Sequence, residues 1–231
     1  MTNVEAVADF DSFGVRAFTT TRHAGSFGSG TDEPVRDVIG RWDALRRGMA
    51  EHGVRRLATS AQVHGADVVR HVPGWDGWLR GNAADGHLAP DRGTAAAVTI
   101  ADCVPVFMAH PSGVVAALHS GWRGTAARII ERGLQAFAEL GIAAPEVHVH
   151  LGPAICGACY EVSPDVIRQL TGRKVSAPET VDLRELIAGH ARSAGVRHLS
   201  ISEWCTRHHN DRFFSHRAGD AGRQVGVIYA S

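Results

Sequence analysis

Three short apolar runs, Ala95-Ala-Ala-Val-Thr-Ile100, Val104-Pro-Val-Phe-Met-Ala109 and Val114-Val-Ala-Ala-Leu118, set the fold class of this 231-residue chain. Each run is continuous rather than alternating, as in strands buried on both faces. Pro111-Ser-Gly113 separates the last two with turn residues, so they can pair as a hairpin. Gly121-Trp-Arg-Gly124 follows. From Thr125 to Leu140 the residues Ile129, Ile130, Leu134, Phe137 and Leu140 recur at helical spacing. Thr125 is the expected N-cap of that helix and Gly141 its stop.

Outward from this core, Val15 to Arg22 is β-branched and alternating. It predicts a strand that ends in the glycine- and serine-rich loop His23 to Gly30. Val35, Val38, Ile39, Trp42, Leu45 and Met49 predict an amphipathic helix over Pro34 to Gly48. Arg56 to Arg70 predicts a strand region broken at His64-Gly65. Gly74 to Gly93, rich in glycine, aspartate and asparagine, predicts an exposed loop carrying Trp75 and Trp78. Val147 to Leu151 alternates as a strand. Pro164 to Leu170 and Leu183 to Ala194 have helical patterns, and Leu199 to Ser202 and Gln224 to Tyr229 close the chain as strands. Strands and helices mixed through the whole length predict a single-domain mixed α/β sandwich over residues 1–231.

Composition excludes several classes. Lys plus Arg and Asp plus Glu are equal at 24 each, so there is no electrostatic footprint for nucleic acid or an anionic membrane. No apolar run reaches the ~18 residues of a membrane span. The stretch from Met1 to Asp9 holds acids and no basic n-region, so no signal peptide is expected and the cytoplasm is the default compartment. Four cysteines in a chain of this length do not make a disulfide scaffold. Fourteen histidines make metal chemistry worth testing, while one domain is too short for the several sandwiches of a copper-dependent polyphenol oxidase. Nothing in the sequence sets the oligomeric state, a monomer included.

His64, Cys103 and His119 share one local pattern, each at a strand end or break that opens into a loop, where α/β folds place functional groups. Two imidazoles and a thiolate would leave Zn²⁺ one open position, the arrangement of a catalytic site. The metal would lower the pKa of a bound water toward ~7. These donors favour zinc over magnesium or calcium, with copper second. The same residues have other readings. Taken alone, a cysteine after a strand is usually a small core side chain, and a lone histidine more often a hydrogen-bonded structural one. Cys103 with His119 as its base is also the pair of an amide hydrolase or deamidase. A non-enzymatic binding protein, with Trp75 and Trp78 on a partner surface, is a third possibility. Gly121 to Thr125, at a helix start with Arg123, suits a phosphate or an ordinary cap equally well. Arg22 is a second anion candidate. Cys156-Gly-Ala-Cys159 has no second cysteine pair and reads as a coincidence of buried cysteines, and His208-His209 as solvated.

The order Thr20-Thr-Arg-His23, Gln62-Val-His-Gly65, Ala101-Asp-Cys103, His119-Ser-Gly-Trp-Arg-Gly124, Leu151-Gly-Pro-Ala-Ile155, Cys159-Tyr-Glu-Val162, Cys205-Thr206 and Phe214-Ser-His-Arg217 resembles the laccase-domain family. That family is also called multicopper-polyphenol-oxidase-like or purine nucleoside phosphorylase. The resemblance implies an α/β sandwich of the kind shared with a bacterial toxin deamidase (cysteine hydrolase-like), and zinc ligands at His64, Cys103 and His119. It implies phosphorolysis of purine nucleosides to free base and ribose 1-phosphate, with adenosine, inosine and methylthioadenosine as substrates, and deamination of adenosine. Some relatives are linked to peptidoglycan editing. Arg22, Arg41 and Arg123 are the arginines placed to contact phosphate or nucleoside. The chain departs from the family pattern at Ala24-Gly-Ser-Phe27 and at Gly40-Arg41.

Overall fold

The continuous apolar runs are explained by layers on both sides of them. A computed structural model describes residues 3–231, so the first two residues of the acidic N-terminal stretch lie outside it. In chain order the strands are β1 (Val4–Val7), β2 (Val15–Thr20), β3 (Arg56–Ser60), β4 (Val68–Arg70), β5 (Gly77–Gly81), β6 (Gly86–Ala89) and β7 (Thr94–Ile100). They continue with β8 (Val104–Ala109), β9 (Val115–Ser120), β10 (His148–Leu151), β11 (Glu161–Val162), β12 (Glu179–Thr180), β13 (His198–Ile201) and β14 (Gln224–Ala230). The helices are α1 (Val35–Ala50), α2 (Trp122–Ala126), α3 (Ile129–Ala138), α4 (Pro164–Thr171) and α5 (Leu183–Ser193).

Two six-stranded mixed sheets form, ordered β1-β2-β14-β7-β3-β5 and β13-β10-β8-β9-β6-β4, beside the small pair β11-β12. The anticipated hairpin is β8 and β9, antiparallel with Met108 opposite Ala116. Phe107, Ala109, Val115 and Ala117 point between the sheets, against Ala96, Val98 and Ile100 of β7 and Ile228 of β14. The alternate residues Val104, Val106, Met108, Ala116 and Leu118 meet Ile129, Ile130, Leu134 and Phe137 of α3 and Ile187 of α5. On the far side Ala95, Ala97, Val225 and Val227 pack on Val38, Trp42 and Met49 of α1. The layers therefore run helix, sheet, sheet, helix, and every position of the central strands faces another layer. The mixed α/β sandwich expected from the sequence is present.

Two local expectations change. The single helix from Thr125 to Leu140 is two, broken at Arg128, whose φ is 58°. Thr125 lies inside α2 rather than capping a helix, and its Oγ1 donates to the Gly121 carbonyl at 2.9 Å. The break lets α2 stay against the end of β9 while α3 turns its apolar face onto the second sheet. Gly141, at φ +80°, does stop α3, with its N–H donating to the Ala138 carbonyl. Gly74 to Gly93 is not one exposed loop. It contains β5 and β6, and Ala84 to Ala89 is buried. Hydrogen bonding inside the fold outweighs the polar composition of that stretch. Trp78 stacks on Trp42 at 5.0 Å and donates Nε1–H to Thr59 Oγ1, so it is no free partner surface. Among the described residues no helix is long and apolar enough to cross a membrane.

Phe107 has no exposed surface and fills the space between the sheets. Phe107→Ala leaves a cavity there and should lower the unfolding free energy by ~3–5 kcal/mol, read from the midpoint of urea denaturation at unchanged slope.

Candidate metal centre

Three chain segments meet at one end of the sandwich. The loop between β3 and β4 carries His64, the short connection from β7 to β8 carries Cys103, and β9 carries His119. The hairpin register sets Pro105 opposite His119, which leaves Cys103 just beyond the strand end and beside the histidine. The ligand atoms of His64, Cys103 and His119 all lie within 4.8 Å of one another. His119 is buried, Cys103 half-buried and His64 exposed.

Asp85, which sequence inspection passed over, organises this group. Its carboxylate has no exposed surface and accepts from the backbone N–H groups of Val63 (3.1 Å), His64 (3.0 Å) and Gly65 (2.7 Å). It also meets His119 Nδ1 at 2.7 Å. The three amides hold His64 at φ 60°, a left-handed conformation uncommon for a side-chain-bearing residue. Gln62 supports the same loop by accepting from the N–H of Thr99 and donating to its carbonyl. With Nδ1 engaged by a carboxylate, His119 presents Nε2 as its free donor atom, the arrangement that orients metal-ligating histidines. Gly121 completes the packing: a Cβ there would lie 2.9 Å from Cys103 Sγ and 3.2 Å from His64 Cδ2.

The electrostatics favour a thiolate. Burial pushes the Cys103 thiol up, but the charge of His119 and hydrogen bonds from His119 and His64 outweigh it and bring the pKa to about 6. Burial alone would lower His119. The Cys103 sulfur and the Asp85 hydrogen bond reverse that and raise it to about 9. Burial also opposes the Asp85 charge, yet its bonds to His119, Gly65 and Val63 keep it below the ordinary carboxylate value. One thiolate and two imidazoles within bonding reach fit a transition-metal ion, and His64, Cys103 and His119 could hold one. The same set, metal-free, is a thiolate–imidazolium–carboxylate row.

Two clefts open at this group and share His64, Ala101, Cys103 and His216. One, of ≈ 330 Å³, is walled by Trp122, Arg123, Ile155, Tyr160 and Arg217. The other, of ≈ 380 Å³, is walled by Ser60, Gln62, Arg80, Thr99 and Arg223. Of the three arginines singled out from sequence, Arg123 lines the first cleft, with its guanidinium 4.3 Å from the Trp122 ring. Arg22 pairs with Asp220 at 2.6 Å and donates Nε–H to the Asn210 carbonyl. Arg41 pairs with Glu33 and donates to the Ser26 carbonyl. Neither Arg22 nor Arg41 is among the residues lining the two clefts. Arg80, Arg217, Arg223, Tyr160 and His216 are the cleft residues that sequence inspection did not assign. Tyr160, His216 and Arg217 do stand inside motifs that carry the family resemblance, which was the available signal. Asp102, at φ 79°, accepts from Thr206 Oγ1 and from the Arg217 N–H, both at 2.6 Å, and so braces the cleft wall.

Residues 18–231 match the family model described as multi-copper polyphenol oxidoreductase laccase. A purine nucleoside phosphorylase of Streptomyces coelicolor is 35% identical over 182 residues, which is 75% of each chain. Purine nucleoside phosphorylase YlmD of Geobacillus stearothermophilus is 32% identical over 253 residues, covering 93% of this chain and 90% of the relative. The crystal structure of YlmD superposes with a TM-score of 0.86 at 29% identity, over 97% of this chain and 94% of that one. The crystal structure of YfiH from Bacillus licheniformis shares the fold at a TM-score of 0.88 and 21% identity, over 100% and 97% of the two chains.

Asp85→Asn removes the charge that fixes both His119 and the His64 loop. It should weaken Zn²⁺ binding at this centre ~10–100-fold, measured by competition with a chromophoric chelator. In the metal-free protein, alkylation of Cys103 by iodoacetamide, followed on its own peptide by mass spectrometry, should rise with pH to half its maximum near pH 6. The sign follows from the lowered pKa: the reactive thiolate is lost only as pH falls through that value. His119→Ala should move the midpoint upward toward that of an ordinary thiol. A wild-type midpoint already there contradicts the ion pair.

Proposed function

This chain belongs to the multi-copper polyphenol oxidoreductase laccase family, and we propose that it works as a zinc-dependent purine nucleoside enzyme, cleaving adenosine, inosine and methylthioadenosine with phosphate and deaminating adenosine. The observation that carries this is the pair of clefts meeting at His64 and Cys103, one aromatic and one polar and basic. A two-substrate reaction needs adjoining sites for two unlike molecules, and each cleft lies within the ~300 Å³-and-above range of small-molecule sites. Relatives named as purine nucleoside phosphorylases supply the chemical class.

In this reading the purine lies in the first cleft, against Trp122 and Tyr160, with Arg123 at its edge. Phosphate lies in the second, held by Arg80 and Arg223. A phosphate oxygen bonds to ribose C1′ as the bond from C1′ to the base nitrogen breaks. The electron pair leaves with the purine, which takes up a proton, and the products are free base and ribose 1-phosphate. Tyr160 suits a hydrogen-bond donor to the departing base, since burial and the nearby Cys103 charge push its phenol up to about 12 and keep it protonated. Arg123 and Arg217 supply positive charge where the base gains negative charge. His64, Cys103 and His119 would hold Zn²⁺, which when bound supplies a Lewis acid between the two clefts. For deamination, water replaces the amino group at C6 and ammonia leaves. The reading takes residues 1–231 as one functional domain acting in the cytoplasm, where free cysteines persist.

One observation favours a second reading. Asp85, His119 and Cys103 form the row of a cysteine hydrolase, the chemistry that a kinship to toxin deamidases, implied only by the sequence resemblance, would bring. Cys103 would then attack an amide carbon, the C–N bond would break as the amine leaves with a proton from His119, and water would hydrolyse the thioester to the acid and restore the thiol, with amides of peptidoglycan precursors as the substrate class.

Purified protein incubated with adenosine, inosine or methylthioadenosine should release free base and ribose 1-phosphate only when phosphate is present. Arg123→Ala should raise KM for the nucleoside and Arg80→Ala KM for phosphate, each roughly 10–100-fold, on the scale of one lost charge-assisted hydrogen bond. No base above a Cys103→Ala control sinks the phosphorylase. Activity that survives a chelator but not iodoacetamide selects the cysteine hydrolase.

A further inference from the structure

Sequence spacing alone leaves Cys156 and Cys159 without partners, and the fold supplies them. The chain after β10 and the chain after β13 run side by side, joined by a parallel bridge between Ala154 and Cys205. The Thr206 N–H donates to the Ala154 carbonyl at 3.1 Å and fixes the alignment. This brings Cys156-x-x-Cys159 against Cys205-Thr-Arg-His208, a second pair of potential ligands at the same spacing. The four ligand atoms all lie within 4.8 Å of one another. Cys159 Sγ is 3.1 Å from His208 Nε2, and Cys156 Sγ is 3.8 Å from His208 Nδ1. A tetrahedron with Zn–S of ~2.3 Å and Zn–N of ~2.0–2.1 Å places its ligand atoms roughly 3.5–3.8 Å apart, so small side-chain movements close it.

Two further features suit a soft cation. Cys205 Sγ accepts from the backbone N–H groups of Cys156 at 3.4 Å and His208 at 3.5 Å. Amides turned onto a sulfur stabilise it as a thiolate, the form in which cysteine binds metal. All three cysteines are free thiols, with Cys159 and Cys205 buried and Cys156 half-buried. Three sulfurs gathered with an imidazole in an apolar lining of Ile155 and Tyr160 are the donor set that a soft transition-metal ion takes.

We infer that Cys156, Cys159, Cys205 and His208 form a second metal site, a closed structural Zn²⁺ site distinct from the one at Cys103. Four protein ligands leave no position for substrate, so its role is to staple two chain segments. Those segments brace the first centre. The Ile155 N–H donates to the Asp102 carbonyl at 3.0 Å, and Thr206 Oγ1 donates to the Asp102 carboxylate. Asp102 sits in its left-handed conformation directly before Cys103. Cys159 and Cys205 each adjoin a residue of that bracing or of the cleft wall, Tyr160 and Thr206 respectively.

The test counts metal and reads its ligands. Protein purified under reducing, anaerobic conditions and loaded with Zn²⁺ should carry about two equivalents per chain by elemental analysis, against about one for Cys103→Ala and about one for Cys159→Ser. Loaded instead with Co²⁺, Cys103→Ala should keep the intense sulfur-to-cobalt charge-transfer band of three thiolates, and Cys159→Ser should keep only the weaker band of the single Cys103 thiolate. His208→Ala, an exposed change that leaves the core intact, should bind this second equivalent more weakly, with an unchanged circular dichroism spectrum. One equivalent in the wild type, with Cys159→Ser indistinguishable from it, overturns the site. So does an intact mass showing a disulfide among Cys156, Cys159 and Cys205. These readouts need no substrate, so they stand or fall separately from the nucleoside chemistry.

Discussion

One buried carboxylate holds the functional end of this molecule together. Taking the Asp85 charge out of water costs several kcal/mol unless every lone pair finds a donor. Three backbone amides and one imidazole meet that requirement. The geometry has consequences in both directions. The amides belong to the loop that crosses from the first sheet to the second, and the imidazole stands on a central strand of the second. A single anion therefore sets where His64 and His119 lie relative to each other. It also sets the positive charge that makes Cys103 acidic. Metal ligation by His64, Cys103 and His119 and nucleophilic attack by the Cys103 thiolate would both depend on that one contact.

Much of this was legible in the sequence, for identifiable reasons. The runs at 95–100, 104–109 and 114–118 gave no alternation because each strand is covered on both faces, and continuity itself signalled central strands. The grouping of His64, Cys103 and His119 followed from their shared position at strand ends. What stayed hidden depends on contacts distant along the chain. Asp85 sits in a stretch whose glycines, asparagine and aspartates read as solvated. Only the amides of Val63 to Gly65 and the ring of His119 make burial of that carboxylate tolerable. The turn at Arg128 has no signature either, since a left-handed arginine is set by how α2 and α3 must each meet the second sheet.

The arginines show how far residue type alone carries a functional assignment. Arg22, Arg41 and Arg123 all stand near motif glycines, and nothing local separates them. Their partners do. Arg22 is matched by Asp220 and Arg41 by Glu33, and each also donates to a backbone carbonyl, so both tie loops to the framework. Arg123 has an aromatic ring beneath it and a cleft in front. A guanidinium already neutralised by a carboxylate offers an anion much less than one whose charge is unpaired.

The position of β14 bears on how the molecule assembles. This strand lies between β2 and β7 in the middle of the first sheet, with Val227 opposite both Phe18 and Ala97. The sheet's centre thus joins segments roughly the whole chain apart, and the entropy of closing so long a loop must be met before those pairs contribute anything. Slow folding follows from such high contact order. Until β14 docks, the edges of β2 and β7 are open ladders able to pair with another molecule, so an unfinished chain is the aggregation-prone species and one that benefits from a chaperone.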